Sequence, residues 1–271
     1  MTTDRSWEPA LGEAELARLT RDMDEAHRAT LPLMRASGAE LAEEVRARQV
    51  GEPRDAGRRR FLLGAGGVGA ALVLAACSSS KNVKDAAPIS PASGPSGSPS
   101  ASGTYTGDLK VVALAVALEN QAVGAYQAAL DAAKAGKLGT VPPAVATFVT
   151  TAMGQHADHA KAWNAVLTGA GLPAITNVPL TNQAATTEAL GKAANVGDVA
   201  KLALMLEEQA AQTYLFATYN VTSPAGIATA ATIAPVEAMH AAILNYVLGQ
   251  YPVPDDFLPV DKAAGPALLT V

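Results

Sequence analysis

The sequence predicts an all-α fold: a four-helix bundle with one long crossover connection, built by internal duplication of two helical hairpins. Apolar residues make up 49% of the 271 residues but aromatics only 4%, so the core must consist of Ala, Val and Leu, a composition typical of helices. Residues 118–126 (LENQAVGAY) match 206–214 (LEEQAAQTY) at five of nine positions, and 155–167 match 236–248 at six of thirteen. This A-B-A-B order indicates a duplication.

Capping and breaking residues set the bounds of the four predicted helices. The helices run from Asp108 to about 135, from Pro142-Pro143 to about Gly169, over about 196–219, and from Ser223-Pro224 to about Gly249. Short turns join the first helix to the second and the third to the fourth, so each pair is an antiparallel hairpin. The connection over 170–196, with a short helix near 187–194, is long enough to cross the bundle.

Residues 1–57 precede this domain and are polar and charged. The pattern over about 13–48 predicts an amphipathic helix of mixed charge, and His27 within it is given no role. We interpret residues 1–57 as a cytoplasmic leader extension, with a regulatory segment as the alternative.

Residues 58–77 have the order of an export signal. Arg58 and Arg59, followed by Phe61 and an apolar run of sixteen residues, resemble a twin-arginine signal. Residues 74–77 (LAAC) resemble a lipobox, in which Cys77 is acylated. This predicts export by the twin-arginine machinery and a lipid anchor in the bacterial membrane, with an extracytoplasmic location. An uncleaved anchor or a simple secretory signal is the alternative.

The rest of the chain divides by composition. Residues 78–107 are rich in Ser, Gly, Pro and Ala, as expected of a flexible linker. The helical domain is assigned to 108–258 and a C-terminal tail to 259–271. The net charge of −5 argues against a nucleic-acid-binding surface.

Six ionisable residues lie on the duplicated segments, within otherwise apolar runs. A carboxylate on an apolar helix face is costly unless it is paired or binds a metal. Spacings of three residues place each pair in the B segments on one helix face. The candidate metal ligands are Glu119, His156, His159, Glu207, Glu237 and His240. Tyr126 and Tyr214 each follow a Glu by seven residues and are predicted to be hydrogen-bond donors beside the ligands or core residues.

With these motifs, residues 108–250 resemble the bacterial ferritin-like domain family of di-iron and di-manganese carboxylate proteins. In that family, two helices supply one Glu each and two supply Glu-x-x-His. The resemblance implies that Glu119 and Glu207 are the single carboxylates, that Glu237 and His240 form one Glu-x-x-His, and that His159 belongs to the other. It also implies one or two Fe or Mn ions and oxygen, peroxide or ferrous-iron redox chemistry.

One position departs from the family pattern, because His156 stands where a bridging Glu is expected. An imidazole cannot bridge two metals through two oxygens, so a single-metal or asymmetric site stays open. His156 could instead be a hydrogen-bonded histidine, and Glu237 with His240 a buried ion pair. The alternative function is a non-catalytic envelope lipoprotein that uses the bundle for binding or stress protection. The sequence leaves open whether the bundle forms a homodimer.

Overall fold

The computed structural model describes residues 9–50, 104–253 and 259–271. Arg58, Arg59 and Cys77 lie outside these ranges, so their roles stay predictions. The predicted all-α class is confirmed, since the regular structure of the described ranges is helical. The α-helices are α1 (Glu13–Val50), α2 (Asp108–Lys134), α3 (Pro143–Gly169), α4 (Gln183–Lys192), α5 (Val196–Asn220) and α6 (Pro224–Val247), and a 3-10 helix spans Pro266–Leu268.

Helices α2, α3, α5 and α6 correspond to the four predicted helices, and α2 packs on α3 as α5 packs on α6. The α2–α3 turn is possible because Gly136 and Gly139 adopt positive φ angles of 71° and 73°, which side chains with a Cβ disfavour. The α5–α6 turn is three residues long, and the Ser223 hydroxyl caps α6 by accepting a hydrogen bond from the Gly226 N–H at 3.2 Å.

Asp108 does not cap its own helix, contrary to the capping proposed from the sequence. Its carboxylate accepts hydrogen bonds from the backbone N–H groups of Thr222 at 3.0 Å and Ser223 at 2.9 Å. These groups lie at the α5–α6 turn, where the start of a helix leaves N–H donors without helical partners. The first residue of α2 therefore links the two hairpins.

The crossover connection lies along α2 and is held there by the C-terminal segment. The Gln121 side chain on α2 donates to the Gln183 side chain at 2.9 Å, in the first turn of α4. The backbone N–H of Thr181 donates to Leu268 O at 2.9 Å, and that of Thr270 to Pro179 O at 3.0 Å. Helix α4 begins four residues earlier than predicted.

Helix α1 packs against the bundle, which the sequence analysis did not predict. Within the described ranges, residues 9–46 belong to the same compact unit as residues 104–253 and 259–271. Met34 and Leu41 belong to a buried cluster with Trp163, while Met23 belongs to a second cluster with Phe148. Burying a Leu or Met side chain stabilises a fold by about 1.5–3 kcal/mol, so this face of α1 contributes substantially to the fold.

Close contacts show which helices α1 touches. A Cβ atom on Gly169 of α3 would lie 2.8 Å from Ala42 Cβ, so glycine permits this approach. On α6, Thr229 Oγ1 lies 2.7 Å from Ser37 Oγ. Helix α1 therefore contacts both α3 and α6.

One described helix, Pro224–Val247, is long and apolar enough to cross a membrane by length and composition. Half of its most apolar window is buried inside the protein. This helix carries Glu237 and His240, so we assign it to the bundle core.

Candidate metal centre

All six predicted ligands come together at the centre of the bundle. They form two groups of four, in each of which the ligand atoms lie within 4.8 Å of one another. Each of the six residues is at most 2% exposed. The first group is Glu119, His156, His159 and Glu237, and the second is His156, Glu207, Glu237 and His240.

Glu237 and His156 belong to both groups and lie between the other ligands. Glu237 Oε1 lies 2.8 Å from His159 Nδ1, and its Oε2 lies 3.3 Å from His240 Nδ1. His156 Nδ1 lies 2.7 Å from Glu119 Oε2, whereas its Nε2 lies 3.1 Å from Glu207 Oε1. Each of these two side chains thus presents different atoms to the two halves of the cluster.

Two tyrosines fix the carboxylates of the opposite repeat. The Tyr126 hydroxyl on α2 donates to Glu207 Oε1 on α5, and the Tyr214 hydroxyl on α5 donates to Glu119 Oε1 on α2. The tyrosines therefore do contact the ligands, but each one contacts the Glu of the other hairpin. Trp163 on α3 also donates its indole N–H to the Tyr214 hydroxyl at 3.0 Å.

Mutual charge compensation shifts the pKa values of the cluster. Burial alone would raise the pKa of Glu119, but the positive charge of His159 and the hydrogen bond with His156 hold it at about 2. Burial alone would lower the pKa of His159, but Glu119 and Glu237 raise it to about 9. The same opposition raises the pKa values of His156 and His240 and lowers that of Glu207. Without a metal, the buried environment thus favours the protonated form of all three imidazoles.

Several buried atoms of the cluster lack hydrogen bonds, and this supports a metal. Neither oxygen of Glu237 and neither nitrogen of His159 has a hydrogen-bond partner among the described residues. The short distance between His159 Nδ1 and Glu237 Oε1 is therefore an ionic contact without hydrogen-bond geometry. Buried polar atoms are normally satisfied, and carboxylate with imidazole suits Fe, Mn or Zn. The residues present therefore fit a metal ion.

Comparison with protein families gives the same assignment. The family model described as "Ferritin-like domain" matches residues 107–250, which is more than half of the 271-residue chain. The chain belongs to the ferritin-like domain family. Searches of curated proteins and of solved structures gave no match.

In the ferritin-like domain, His159 and His240 each belong to only one of the two ligand groups, and their rings are held differently. His240 turns Nδ1 towards Glu207 at 3.1 Å and donates its Nε2–H to Gln155 Oε1 at 2.8 Å. His159 turns Nδ1 inward as well, but its buried Nε2 has no partner in the described chain. A hydrogen bond at the outer nitrogen of a ligand histidine normally fixes its tautomer.

Residues that the sequence analysis missed lie just outside the ligands. Gln155 could have been found, because it immediately precedes His156 in the repeat. His27 is 2% exposed, and its ring lies 5.1 Å from the His159 ring, edge to face. Its contact with the centre had no sequence signal, because α1 lies outside the duplicated region.

A crevice between α2 and α5 leads to the cluster of the ferritin-like domain. It is lined by Glu119 and His156 together with Gln121, Leu206 and others, and it has room for about one water molecule. Because Gln121 also bonds to α4, the crossover lies at the side of this crevice. This crevice is therefore the candidate approach to the cluster.

We predict a stability optimum at mildly acidic pH for the metal-free chain. The pKa of His159 is raised from 6.5 to about 9, so its contribution is complete below pH 6.5 and is lost as the pH rises to about 9. The pKa of Glu119 is lowered from 4.5 to about 2, so its contribution is complete above pH 4.5 and is lost as the pH falls to about 2. Urea denaturation of the metal-free protein across pH should give the highest unfolding free energy between pH 4.5 and 6.5. A maximum above pH 8 would contradict this account of the cluster.

Proposed function

We propose that the ferritin-like domain binds Fe or Mn at the six-residue cluster and acts in oxygen, peroxide or ferrous-iron redox chemistry. One observation carries the proposal: the two ligand groups share Glu237, whose two buried oxygens have no hydrogen-bond donor among the described residues. An unsatisfied buried carboxylate is strongly destabilising. A cation between the two groups would satisfy it.

The chain's own residues indicate an asymmetric centre. Glu237 can offer one oxygen to each half, whereas a neutral imidazole has a single free lone pair. If His156 Nε2–H donates to Glu207, its Nδ1 is free for the half with Glu119 and His159. If Nδ1–H donates to Glu119, its Nε2 is free for the half with Glu207 and His240. His156 therefore gives one half a ligand that the other half lacks.

A bound Fe or Mn centre would supply the redox couple for reaction with dioxygen or peroxide. The protein's part is to orient the ligands and control access. Tyr126 and Tyr214 hold Glu207 and Glu119 in place through hydroxyl hydrogens, and burial raises the pKa of both phenols, as do the carboxylates beside them. Both phenols thus stay protonated at neutral pH. The crevice beside Glu119 and His156 is the route that we propose for a small oxidant.

A second candidate function is non-catalytic, and the ionic contacts favour it. Every carboxylate in the cluster lies within 3.5 Å of at least one histidine nitrogen. Three carboxylates and three protonated imidazoles have no net charge, so the cluster can exist as a buried ion network without metal. The bundle would then serve binding or stress protection in the envelope. Metal analysis distinguishes the two functions.

We predict that the full-length chain, loaded anaerobically with Fe(II) or Mn(II), retains one or two metal ions and that Glu237→Gln greatly reduces this. The amide keeps the volume of the side chain but removes its charge and one acceptor. Metal per chain after desalting measures the effect. Admission of oxygen to the Fe(II) form should then produce an oxidation band in the optical spectrum.

The matched control for this prediction is Glu208→Gln. Glu208 is the neighbour of Glu207 but pairs with Lys262 at 2.5 Å, away from the cluster, so metal content should be unchanged. Wild-type protein that retains no metal would exclude the redox proposal and leave the ion network. Retention of metal without an oxidation band would exclude only the redox chemistry.

We further propose that the chain is exported by the twin-arginine machinery and anchored through lipid on Cys77. The support is the order of the Arg58-Arg59 pair, the apolar run and the cysteine. Cleavage before Cys77 would remove α1, and with it the buried side chains of Met23, Met34 and Leu41. Because this machinery transports folded proteins, α1 would then serve the precursor, in which the domain folds before transport.

Intact mass tests this export proposal. Protein from the membrane fraction of a bacterial host should begin at Cys77 and carry the added mass of acyl groups. The variant with Arg58→Lys and Arg59→Lys should stay unprocessed in the cytoplasm, and Cys77→Ser should lack the acyl mass. Membrane-bound protein that retains residues 1–76 would contradict cleavage.

A further inference from the structure

Helix α1 presents two polar residues, Asp24 and His27, to the outer side of the metal centre. They are three residues apart and therefore share one helix face. His27 is buried, with Nε2 at 3.4 Å from Asp158 Oδ2 on α3, and its Nδ1 has no partner among the described residues. Asp24 accepts a hydrogen bond from Gln155 Nε2 at 3.4 Å. Gln155 in turn bonds to the ligand His240, and the ring of His27 lies beside the ring of the ligand His159.

The contact of Asp24 completes a hydrogen-bond chain to His240. His240 Nε2–H donates to Gln155 Oε1 at 2.8 Å, and the amide of Gln155 in turn donates to Asp24. This chain holds the outer nitrogen of His240 protonated, so that in the neutral, metal-binding form of the ring Nδ1 is the free ligand atom, on the side of Glu207 and Glu237. An outer partner of this kind orients a metal-binding histidine and raises its basicity.

The duplication does not provide the equivalent partner for His159. In the repeat, Gln155 aligns with Val236, whose apolar side chain can form no hydrogen bond. His159 Nε2 is consequently buried without a partner among the described residues, although its Nδ1 faces Glu237 at 2.8 Å as in His240. The ring beside it is that of His27, at a centroid distance of 5.1 Å and an interplanar angle of 68°.

We propose that His27 is a positioning residue of the metal centre, accepting a hydrogen bond at Nδ1 from His159 Nε2–H when the metal is bound. The Nε2–H of His27 then donates to Asp158, which gives the chain Asp158–His27–His159 on one side of the centre. The two nitrogens belong to neighbouring rings and each lacks a partner among the described residues, so this single bond would satisfy both. The inference rests on the proposed metal site but concerns a residue outside the duplicated ligand set.

The consequence is that α1 supports both halves of the centre from one face in the uncleaved chain, before any cleavage at Cys77. Asp24 acts on His240 through Gln155, and His27 acts on His159. Metal affinity should therefore depend on α1 although α1 supplies no ligand. Loss of an outer-shell partner typically weakens metal binding by about 10–100-fold.

The test compares His27→Leu and His27→Gln in the full-length chain, made with Arg58→Lys and Arg59→Lys so that α1 is retained. Leu removes the acceptor, whereas Gln keeps one. Free Mn(II), measured by electron paramagnetic resonance during titration, gives the dissociation constant. We expect His27→Leu to weaken Mn(II) binding by about 10–100-fold and His27→Gln to recover much of the loss. The thermal midpoint of each metal-free variant reports any structural damage.

The matched control is Glu25→Gln on the exposed side of the same helix, which should bind Mn(II) like the parent chain. Equal Mn(II) affinity in the parent chain and His27→Leu would overturn the inference while leaving the metal site intact. Equal losses in Leu and Gln, with a matching fall in the metal-free thermal midpoint, would also overturn it by showing a packing role. A parent chain that binds no Mn(II) would overturn the proposed metal site itself, and the inference with it.

Discussion

Compensation of buried charge is the constraint on which the rest of this structure depends. Three carboxylates lie at the centre of the bundle with at most 2% exposure, and removing such groups from water costs several kcal/mol each unless they are paired. The compensation comes from elements far apart in sequence: Tyr214 reaches Glu119 across 95 residues, and Tyr126 reaches Glu207 across 81. The cluster can form only when both hairpins are in place.

The pairing is incomplete without a cation, and this links the fold to function. Glu237 is surrounded by His156, His159 and His240 at contact distance but accepts no hydrogen bond from the described residues. Protons on the imidazoles and a bound metal are therefore competing ways to neutralise the same carboxylates. A proton-filled cluster is a structural ion network, and a metal-filled one is a reaction centre. The same six side chains allow both states, because metal ligands must lose their protons to bind.

The sequence analysis predicted the helices and the ligand set because the duplication repeats both. Gly, Pro and Ser marked the helix ends, and Glu119 and Glu207 could be aligned without knowledge of the fold. The crossed partners of Tyr126 and Tyr214 were not predictable, since spacing defines a helix face but not the opposing helix. The docking of α1 was also missed. The apolar residues of α1 are as consistent with an amphipathic helix in solvent as with one packed on the bundle. Residues 13–46 also contain no copy of the duplicated motifs, so the sequence did not link this helix to the metal centre. His27 accordingly had no role until its contact with His159 was seen.

Anomalous X-ray diffraction from crystals of the full-length chain grown with Mn(II) tests the central claim most directly. The account predicts anomalous density within coordination distance of Glu237, in the half with His159, the half with His240, or both, accompanied by loss of the direct contact between Glu237 and a histidine nitrogen. Absence of anomalous density at the bundle centre, with His156 still bonded to Glu119 and Glu207, would contradict it. The cluster would then be a buried ion network that holds the bundle together.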